Sequence, residues 1–160
     1  MSSPFEIVTA RKPAELADVA RLFVAYAASL GIDLAYQDFS GELAGLPGQY
    51  GPPDGALLLA RDADGLALGC VALRPFAPDV VEMKRMYVAP AGRGLGLGRA
   101  LLDAILVEAR KLGAREIVLD TLPELAAAIA LYRSAGFEEI PPYYKTPIER
   151  TIFFRLKLGA

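Results

Sequence analysis

The segment of this sequence best suited to chemistry is a run of glycines between a strand pattern and a helix pattern. Glycine occupies every second position of residues 92–98, and the apolar run before it ends at Val88. The first amides of a helix have no partner within the helix, and the helix dipole makes that end positive. Glycine also lets a backbone approach an anion closely, because it has no Cβ. The segment therefore predicts a phosphate cradle, to which Arg93 and Arg99 would add positive charge.

The order of residues in this loop distinguishes three phosphate-binding patterns. A P-loop requires Lys and then Ser or Thr after its glycines, whereas Arg99 and Ala100 stand there. The dinucleotide pattern Gly-x-Gly-x-x-Gly/Ala fails in both registers, since Leu97 or Arg99 occupies its last position. The pattern Arg/Gln-x-x-Gly-x-Gly/Ala is matched in full from Arg93 to Gly98. Of the three patterns, only this last one fits.

Hydrophobic patterns on either side of the loop predict the elements that position it. Val80 to Val88 predicts a strand before the loop, Leu97 to Leu112 predicts a helix after it, and Glu116 to Thr121 predicts the next strand. A strand–helix–strand crossover makes its two strands parallel neighbours. The capping-box pattern of residues 121–124 predicts that the last helix begins there.

The remaining patterns complete a mixed sheet with helices on both of its faces. Strands are predicted at residues 5–10, 56–61, 66–73, 138–144 and 151–158, and helices at residues 13–30 and 33–46. The expected fold class is α/β (α+β), with a mixed, mostly antiparallel sheet of about seven strands around a central parallel pair. Residues 1–160 are expected to form a single domain.

The composition excludes several classes of protein. The 160 residues include no His and one Cys, which removes Ser-His-Asp and Cys-His nucleophiles and His-ligated metal sites, so no metal is expected. Lys and Arg number 17 against 19 for Asp and Glu, which argues against a nucleic-acid partner. There is no signal-peptide core and no apolar run near the roughly 18 residues of a membrane span, so a cytoplasmic protein without a membrane partner is expected.

Two longer segments resemble the GNAT superfamily of acyl-CoA-dependent N-acyltransferases. MKRMYVAPAGRGLGLGRALLDAILVEARKLG is similar to its central motif, and AAAIALYRSAGFEEI is similar to the helix and strand that follow. The resemblance implies acetyl-CoA as co-substrate, with its diphosphate on the loop amides and its pantetheine arm along the preceding strand. Leu125 stands where many members have an Asn that contacts this arm, so that contact is either missing or supplied elsewhere, with Thr121 as the candidate. The implied coenzyme contacts are Met86, Tyr87, Val88, Arg93, Gly94, Leu95, Gly96, Leu97, Gly98, Arg99 and Thr121.

The resemblance also implies how protons move during transfer. Tyr132 matches the superfamily's frequent general acid, and a phenol with a pKa of about 10 is protonated at neutral pH and can donate to a departing thiolate. The alternative is that Tyr132 only completes the buried stripe of its helix. Glu82 is the first candidate for the base that deprotonates the amine, and strand alternation predicts it on the same side as Val88. Asp120 is the second candidate.

The acceptor pocket is implied to lie between the first two helices and the last hairpin. Glu42, Lys84 and Tyr144 are its candidate contacts. Carboxylates would suit a cationic amine, whereas a lysine would suit an acceptor carboxylate, and both fit a small polar amine or amino acid. Alternation over residues 151–158 predicts Phe153 or Phe154 facing outward, which would favour a homodimer.

These features predict an N-acetyltransferase that moves an acetyl group from acetyl-CoA to the amine of a small molecule or amino acid. Direct transfer in a ternary complex is expected, because Cys70 lies in a strand pattern, is expected in the core, and has no His to activate it. Two alternatives stay open. One is an acyl-CoA-binding regulatory or sensor module without catalysis, and the other is a protein N-acetyltransferase, which would need an open groove.

Overall fold

The computed structural model describes residues 4–159 and arranges seven strands in one sheet. The strands are β1 (Glu6–Thr9), β2 (Ala56–Arg61), β3 (Ala67–Ala77), β4 (Val80–Val88), β5 (Glu116–Thr121), β6 (Glu138–Ile140) and β7 (Ile152–Lys157). The helices are α1 (Pro13–Leu30), α2 (Phe39–Ala44), α3 (Leu97–Lys111) and α4 (Ala126–Ser134), with short 3₁₀ turns at Leu34–Gln37, Gly48–Tyr50 and Pro90–Gly92. The strand order is β1-β2-β3-β4-β5-β7-β6.

The predicted crossover pair, β4 and β5, is parallel, and the other pairings between described strands are antiparallel. This confirms the α+β class with a central parallel pair. The parallel pairing joins only residues 80–82 of β4 to residues 116–118 of β5. Beyond Glu82 and Val118 the two strands separate, so a slot opens between their carboxyl-terminal halves.

A β-bulge interrupts β4 before the slot. The register with β3 shifts between the pairs Cys70–Tyr87 and Ala72–Lys84, and Arg85 has a left-handed φ of 61°. An extra residue in one strand reverses the alternation of its side chains from that point. Lys84 and Arg85 therefore both face the segment of residues 34–44, where each has its hydrogen-bond partner.

The bulge overturns one prediction about β4. Val88 packs against the core cluster that contains Val81 and Met83, and Glu82, between those two residues, lies on the opposite face of the strand. Glu82 and Val88 are therefore on opposite sides, because alternation predicts a shared side only for an uninterrupted strand.

Apolar clusters cover both faces of the sheet, as predicted. Leu101 and Ile105 of α3 are fully buried in a cluster that also contains Leu119 of β5 and Tyr132 of α4. On the other face, Phe23 of α1 packs in a second cluster with Leu57, Leu59, Cys70 and Ala72. The spacing of three or four residues between buried positions places each helix stripe against the sheet.

Several predicted boundaries were wrong for local reasons. Helix α4 begins at Ala126, not at Thr121, which lies in β5, so the capping box does not form. Strand β3 continues to Ala77, beyond its predicted end at residue 73. The connection to β4 is therefore a tight turn at residues 78–79. Strand β6 ends at Ile140, because the two prolines that follow have no NH to donate to a ladder.

The predicted outward-facing phenylalanine is also wrong. Phe153 is 1% exposed and Phe154 is fully buried. The rings of Tyr143 and Tyr144 cover Phe153 edge-on, at centroid distances of 5.1 and 5.3 Å. Phe154 belongs to the cluster under α3 and α4. The apolar face that favoured a homodimer is therefore covered within the chain.

Candidate active site

The turn between β4 and α3 presents free backbone NH groups. Among residues 4–159, no acceptor takes a hydrogen bond from the NH groups of residues 94–99. Gly94 and Gly96 have left-handed φ values of 80° and 74°, and a Cβ added to either would meet no atom within 4 Å. The turn is thus open in front of these glycines, at the positive end of α3. A diphosphate group fits this arrangement, because it can accept several hydrogen bonds from such NH groups.

A groove of about 450 Å³ extends from this turn along β4. Backbone and side chains of β4 form one side, Tyr26 and Ser29 of α1 lie across from it, and three alanines at the start of α4 leave room between them. The predicted coenzyme residues that line the groove are Met86, Tyr87, Val88, Arg93 and Gly98. Leu97 does not, because its side chain is buried in the core.

The slot between β4 and β5 opens into this groove, since Tyr26, Met86 and Leu125 line both spaces. The Thr121 hydroxyl lies at the slot, is buried, and has no hydrogen-bond partner among the described residues. A buried hydroxyl without a partner costs about 1–3 kcal/mol, so an acceptor group from a bound molecule would relieve that cost. The resemblance pointed to Thr121 as a substitute for Leu125, and both line the slot.

Tyr132 lies in the slot and is 5% exposed. Its ring packs on Phe137 and Phe154 at centroid distances of 5.7 and 6.2 Å, which holds the side chain in place. Burial raises the pKa of Tyr132 above its usual value, with a smaller contribution from Tyr26 and Asp120. The phenol is therefore a proton donor throughout the physiological pH range.

The two candidate bases occupy different positions. Asp120 lines the slot, and one of its oxygens, Oδ2, accepts a hydrogen bond from the Tyr144 hydroxyl. Glu82 is 1% exposed; its Oε1 accepts from Arg74 Nε at 2.7 Å, and its Oε2 accepts from the Tyr143 hydroxyl. Both oxygens of Glu82 are thus engaged, whereas Asp120 has one oxygen without a partner in the described part of the chain.

A second pocket, of about 290 Å³, adjoins the slot. Lys84 lines both spaces and so marks their junction. The structure brings together three of the predicted residues there, Glu82, Lys84 and Tyr144. The other residues of the pocket are Tyr36, Gln37, Arg74, Phe76, Lys145 and Pro147. We call this space the acceptor pocket.

The third predicted acceptor residue, Glu42, has a different environment. Its two carboxylate oxygens accept hydrogen bonds from Arg85 Nε and Nη2 at 2.9 and 3.0 Å. It lines a separate cleft between α2 and the Gly48–Tyr50 turn. This ion pair neutralises Arg85, which is buried and has a positive φ at the bulge, and thereby fixes its side chain.

Sequence reasoning missed the hydrogen bonds that Arg74 and Tyr143 donate to Glu82. Arg74 lies directly across from Glu82 in the β3–β4 hairpin. A turn at residues 78–79 alone would pair Arg74 with Met83, and it is the register shift between Pro75 and Ala77 that brings Arg74 opposite Glu82. No local pattern marks Tyr143, which reaches Glu82 from a loop 61 positions away.

A splayed parallel pair beside a cradle of free NH groups and a slot with a buried phenol defines an acyltransferase. The sequence model described as "Acetyltransferase (GNAT) family" matches residues 20–137. The chain therefore belongs to the acetyltransferase (GNAT) family, as the resemblance implied, and is an N-acetyltransferase by family.

Relatives and solved structures agree with this assignment. An uncharacterized N-acetyltransferase of Schizosaccharomyces pombe is 44% identical over 158 residues, covering 98% of this chain and 97% of the relative. An aminoglycoside N(6')-acetyltransferase of Stenotrophomonas maltophilia is 35% identical and covers 66% of this chain and 69% of its own length. A GNAT-family acetyltransferase of Staphylococcus aureus has the same fold, with a TM-score of 0.81 at 20% identity, covering 97% and 99% of the two chains.

Two features that the described residues lack bear on other functions. No group of three or more His, Cys, Asp or Glu side chains in residues 4–159 is arranged to hold a metal ion. None of the helices in that range combines the length and apolar character that crossing a membrane requires.

Proposed function

We propose that this protein transfers an acetyl group from acetyl-CoA directly to the amine of a small molecule, with both substrates bound at once. The observation that carries the proposal is that three spaces adjoin one another. The groove and the slot share Met86, and the slot and the acceptor pocket share Lys84. Two substrates that enter from opposite sides would therefore meet in the slot.

Coenzyme A suits the groove in both charge and shape. The NH groups of residues 94–99 would hold its diphosphate, with Arg93 and Arg99 adding positive charge. Thr121 would donate its hydroxyl to an acceptor on the pantetheine arm. Support comes from a Salmonella typhimurium protein solved with its cofactor acetyl-CoA, which has a TM-score of 0.71 and 24% identity over 99% of this chain. Bound there, the coenzyme would supply the acyl group as an activated thioester.

Tyr132 and a carboxylate would carry the two proton transfers. The amine nitrogen loses a proton to the carboxylate and bonds to the acyl carbon as the carbon–sulfur bond breaks. Tyr132 donates its proton to the departing sulfur; its raised pKa keeps the phenol protonated before transfer, and its packed ring holds it in the slot.

Asp120 is better placed than Glu82 to accept the amine proton. It lines the slot and has an oxygen without a partner among residues 4–159, whereas both oxygens of Glu82 are bound by Arg74 and Tyr143. Glu82 would then act through its neighbours, by holding Tyr143 against Phe76, which lines the acceptor pocket. The variants Asp120→Asn and Glu82→Gln separate these roles, because only loss of the base lowers kcat while leaving the KM of the amine nearly unchanged.

Cys70 supports direct transfer over an acyl-enzyme. Its side chain is fully buried and its Sγ donates to the Arg85 carbonyl at 3.3 Å. Burial raises the pKa of the Cys70 thiol, so the thiolate that a nucleophile requires does not form at neutral pH. A cytoplasmic location and a single domain stay predictions from the sequence.

Two measurements test the proposal. Calorimetry with coenzyme A should show binding, and thiol release from acetyl-CoA should rise when amines are added. A protein that binds coenzyme A and releases no thiol with any amine would instead be the regulatory module. A protein that binds no coenzyme A would refute both readings.

A further inference from the structure

The acceptor pocket contains two positive charges that nothing in the described chain neutralises. Arg74 is paired with Glu82, the one carboxylate that lines the pocket. Lys84 and Lys145 have no carboxylate within 4 Å among residues 4–159. The pocket is therefore cationic, although the whole chain has a net charge of −2.

Lys84 is the stronger signal, because it is buried as well as unpaired. Its side chain is 5% exposed, and its Nζ donates one hydrogen bond, to the neutral Gln37 Oε1 at 2.9 Å. A buried ammonium without a counter-ion is costly, and proteins usually pair such a group. Burial lowers the pKa of Lys84, while Asp120 and Glu82 oppose that change from a distance. A ligand anion would supply the missing partner.

The position of Lys84 limits how far that anion can be from the reacting amine. Lys84 borders both the acceptor pocket and the slot, and Asp120 faces the same slot from β5. An acceptor with its amine at Asp120 and its anion at Lys84 must carry the two groups close together. In an α-amino acid they are attached to the same carbon atom.

We infer that the acceptor is an α-amino acid whose carboxylate binds Lys84 and whose amine faces Asp120. This inference rests on the proposed transferase function. The side chain of the amino acid would extend into the acceptor pocket, against the rings of Tyr36 and Phe76 and against Pro147. A polycationic acceptor such as an aminoglycoside does not suit this pocket, because its one lining carboxylate is already paired with Arg74.

The test compares the α-amino acids of proteins with their carboxamides as acceptors. The amine of a carboxamide is less basic, so more of it is unprotonated, and a preference for the acid cannot come from amine protonation. We expect kcat/KM for the best acid to exceed that for its carboxamide by at least tenfold. Spermidine and kanamycin serve as polycationic probes, and faster turnover of either, or of the carboxamides, would overturn the inference.

The variant Lys84→Met removes the charge and retains most of the chain length. It should bring the ratio of acid to carboxamide close to one, with an unchanged Kd for coenzyme A and no loss of thermal stability. Lys157→Met, which removes an exposed lysine from β7, is the matched control and should leave the ratio unchanged. A ratio unaffected by Lys84→Met would refute the role of Lys84.

Calorimetry separates failure of this inference from failure of the proposed function. The same acids and carboxamides are titrated into protein saturated with coenzyme A. If no amine causes thiol release, the transferase proposal fails, yet selective binding of an acid that is lost in Lys84→Met would still support the inference. If no acid binds more tightly than its carboxamide, the inference is wrong whether or not thiol is released.

Discussion

The two variants Gly96→Ala and Gly113→Ala test whether the turn before α3 holds a diphosphate. Gly96 has a φ of 74° and Gly113, at the other end of α3, has a φ of 79°. A Cβ added at either position would meet no atom within 4 Å. The two substitutions therefore impose the same backbone strain and no steric overlap, and only one of them lies in the proposed cradle.

The size of the expected effects follows from these matched geometries. A left-handed alanine costs about 1–2 kcal/mol, and the stiffer unfolded chain returns about 0.4–1 kcal/mol. Both variants should lose about 1 kcal/mol of stability, or roughly 2–4 °C in Tm for a chain of this size. In Gly96→Ala, the backbone shift that lessens the strain also turns the NH groups of residues 94–99 away from the diphosphate. Loss of one hydrogen bond to a charged group costs about 1.5–3 kcal/mol, or roughly ten- to hundred-fold in the Kd of coenzyme A.

Thermal unfolding and calorimetry with coenzyme A measure both effects on the same samples. We expect equal falls in Tm, a weaker Kd for Gly96→Ala, and an unchanged Kd for Gly113→Ala. Equal Kd values in the two variants would refute the assignment of the diphosphate to residues 94–99. Unequal falls in Tm would show that the two glycines are not equivalent in strain, and the comparison would then rest on Kd alone.

Three further predictions concern the slot. Tyr132→Phe should lower kcat about 10²-fold or more while leaving the Kd of coenzyme A and the Tm nearly unchanged. The control Tyr50→Phe removes a buried hydroxyl outside the slot and should leave kcat unchanged. Steady-state thiol release measures kcat for both variants, and an unchanged kcat in Tyr132→Phe would refute its role as the acid. Thr121→Val should raise stability by about 1 kcal/mol, because it removes a buried hydroxyl without a partner, and should weaken acetyl-CoA binding in calorimetry. Burial lowers the pKa of Lys84 in the folded state, so its positive charge destabilises the fold. As pH rises through that lowered pKa, Lys84 loses its proton and the unmutated protein becomes more stable. The stability advantage of Lys84→Met in urea unfolding should therefore narrow toward alkaline pH, and a difference independent of pH would contradict this.

The sequence was sufficient to predict the features that depend on local patterns. The hydrophobic patterns of residues 80–88, 97–112 and 116–121 predicted β4, α3 and β5, and the glycines at positions 94 and 96 are required by their positive φ. The crossover connection then placed β4 beside β5 and Asp120 at the end of β5, whereas Tyr132 was implied by the resemblance to the GNAT superfamily.

The features that the sequence could not predict depend on tertiary contacts. Arg85 adopts a positive φ against its own preference, and a bidentate ion pair with Glu42 holds its side chain. Thr121 matches a capping box in sequence but pairs with Ile152 in the sheet, because strand β7 covers β5 as far as its last residue. The path of Tyr143 and Tyr144 depends on carboxylates that lie far away in the sequence.

The bulge at Arg85 links the two substrate spaces. It places Lys84 and Arg85 on the same face of β4. Lys84 then lines the acceptor pocket, and Arg85 pairs with Glu42 of α2. The same reversal leaves Met86 and Val88 on the side of α3 and α4, along the coenzyme groove. A regular strand would put Arg85 on the side of Met83 and would bury its charge in the apolar cluster under α3. Under the proposed function, the strained residue is therefore what would allow one strand to contact the coenzyme on one part of its length and the acceptor on another.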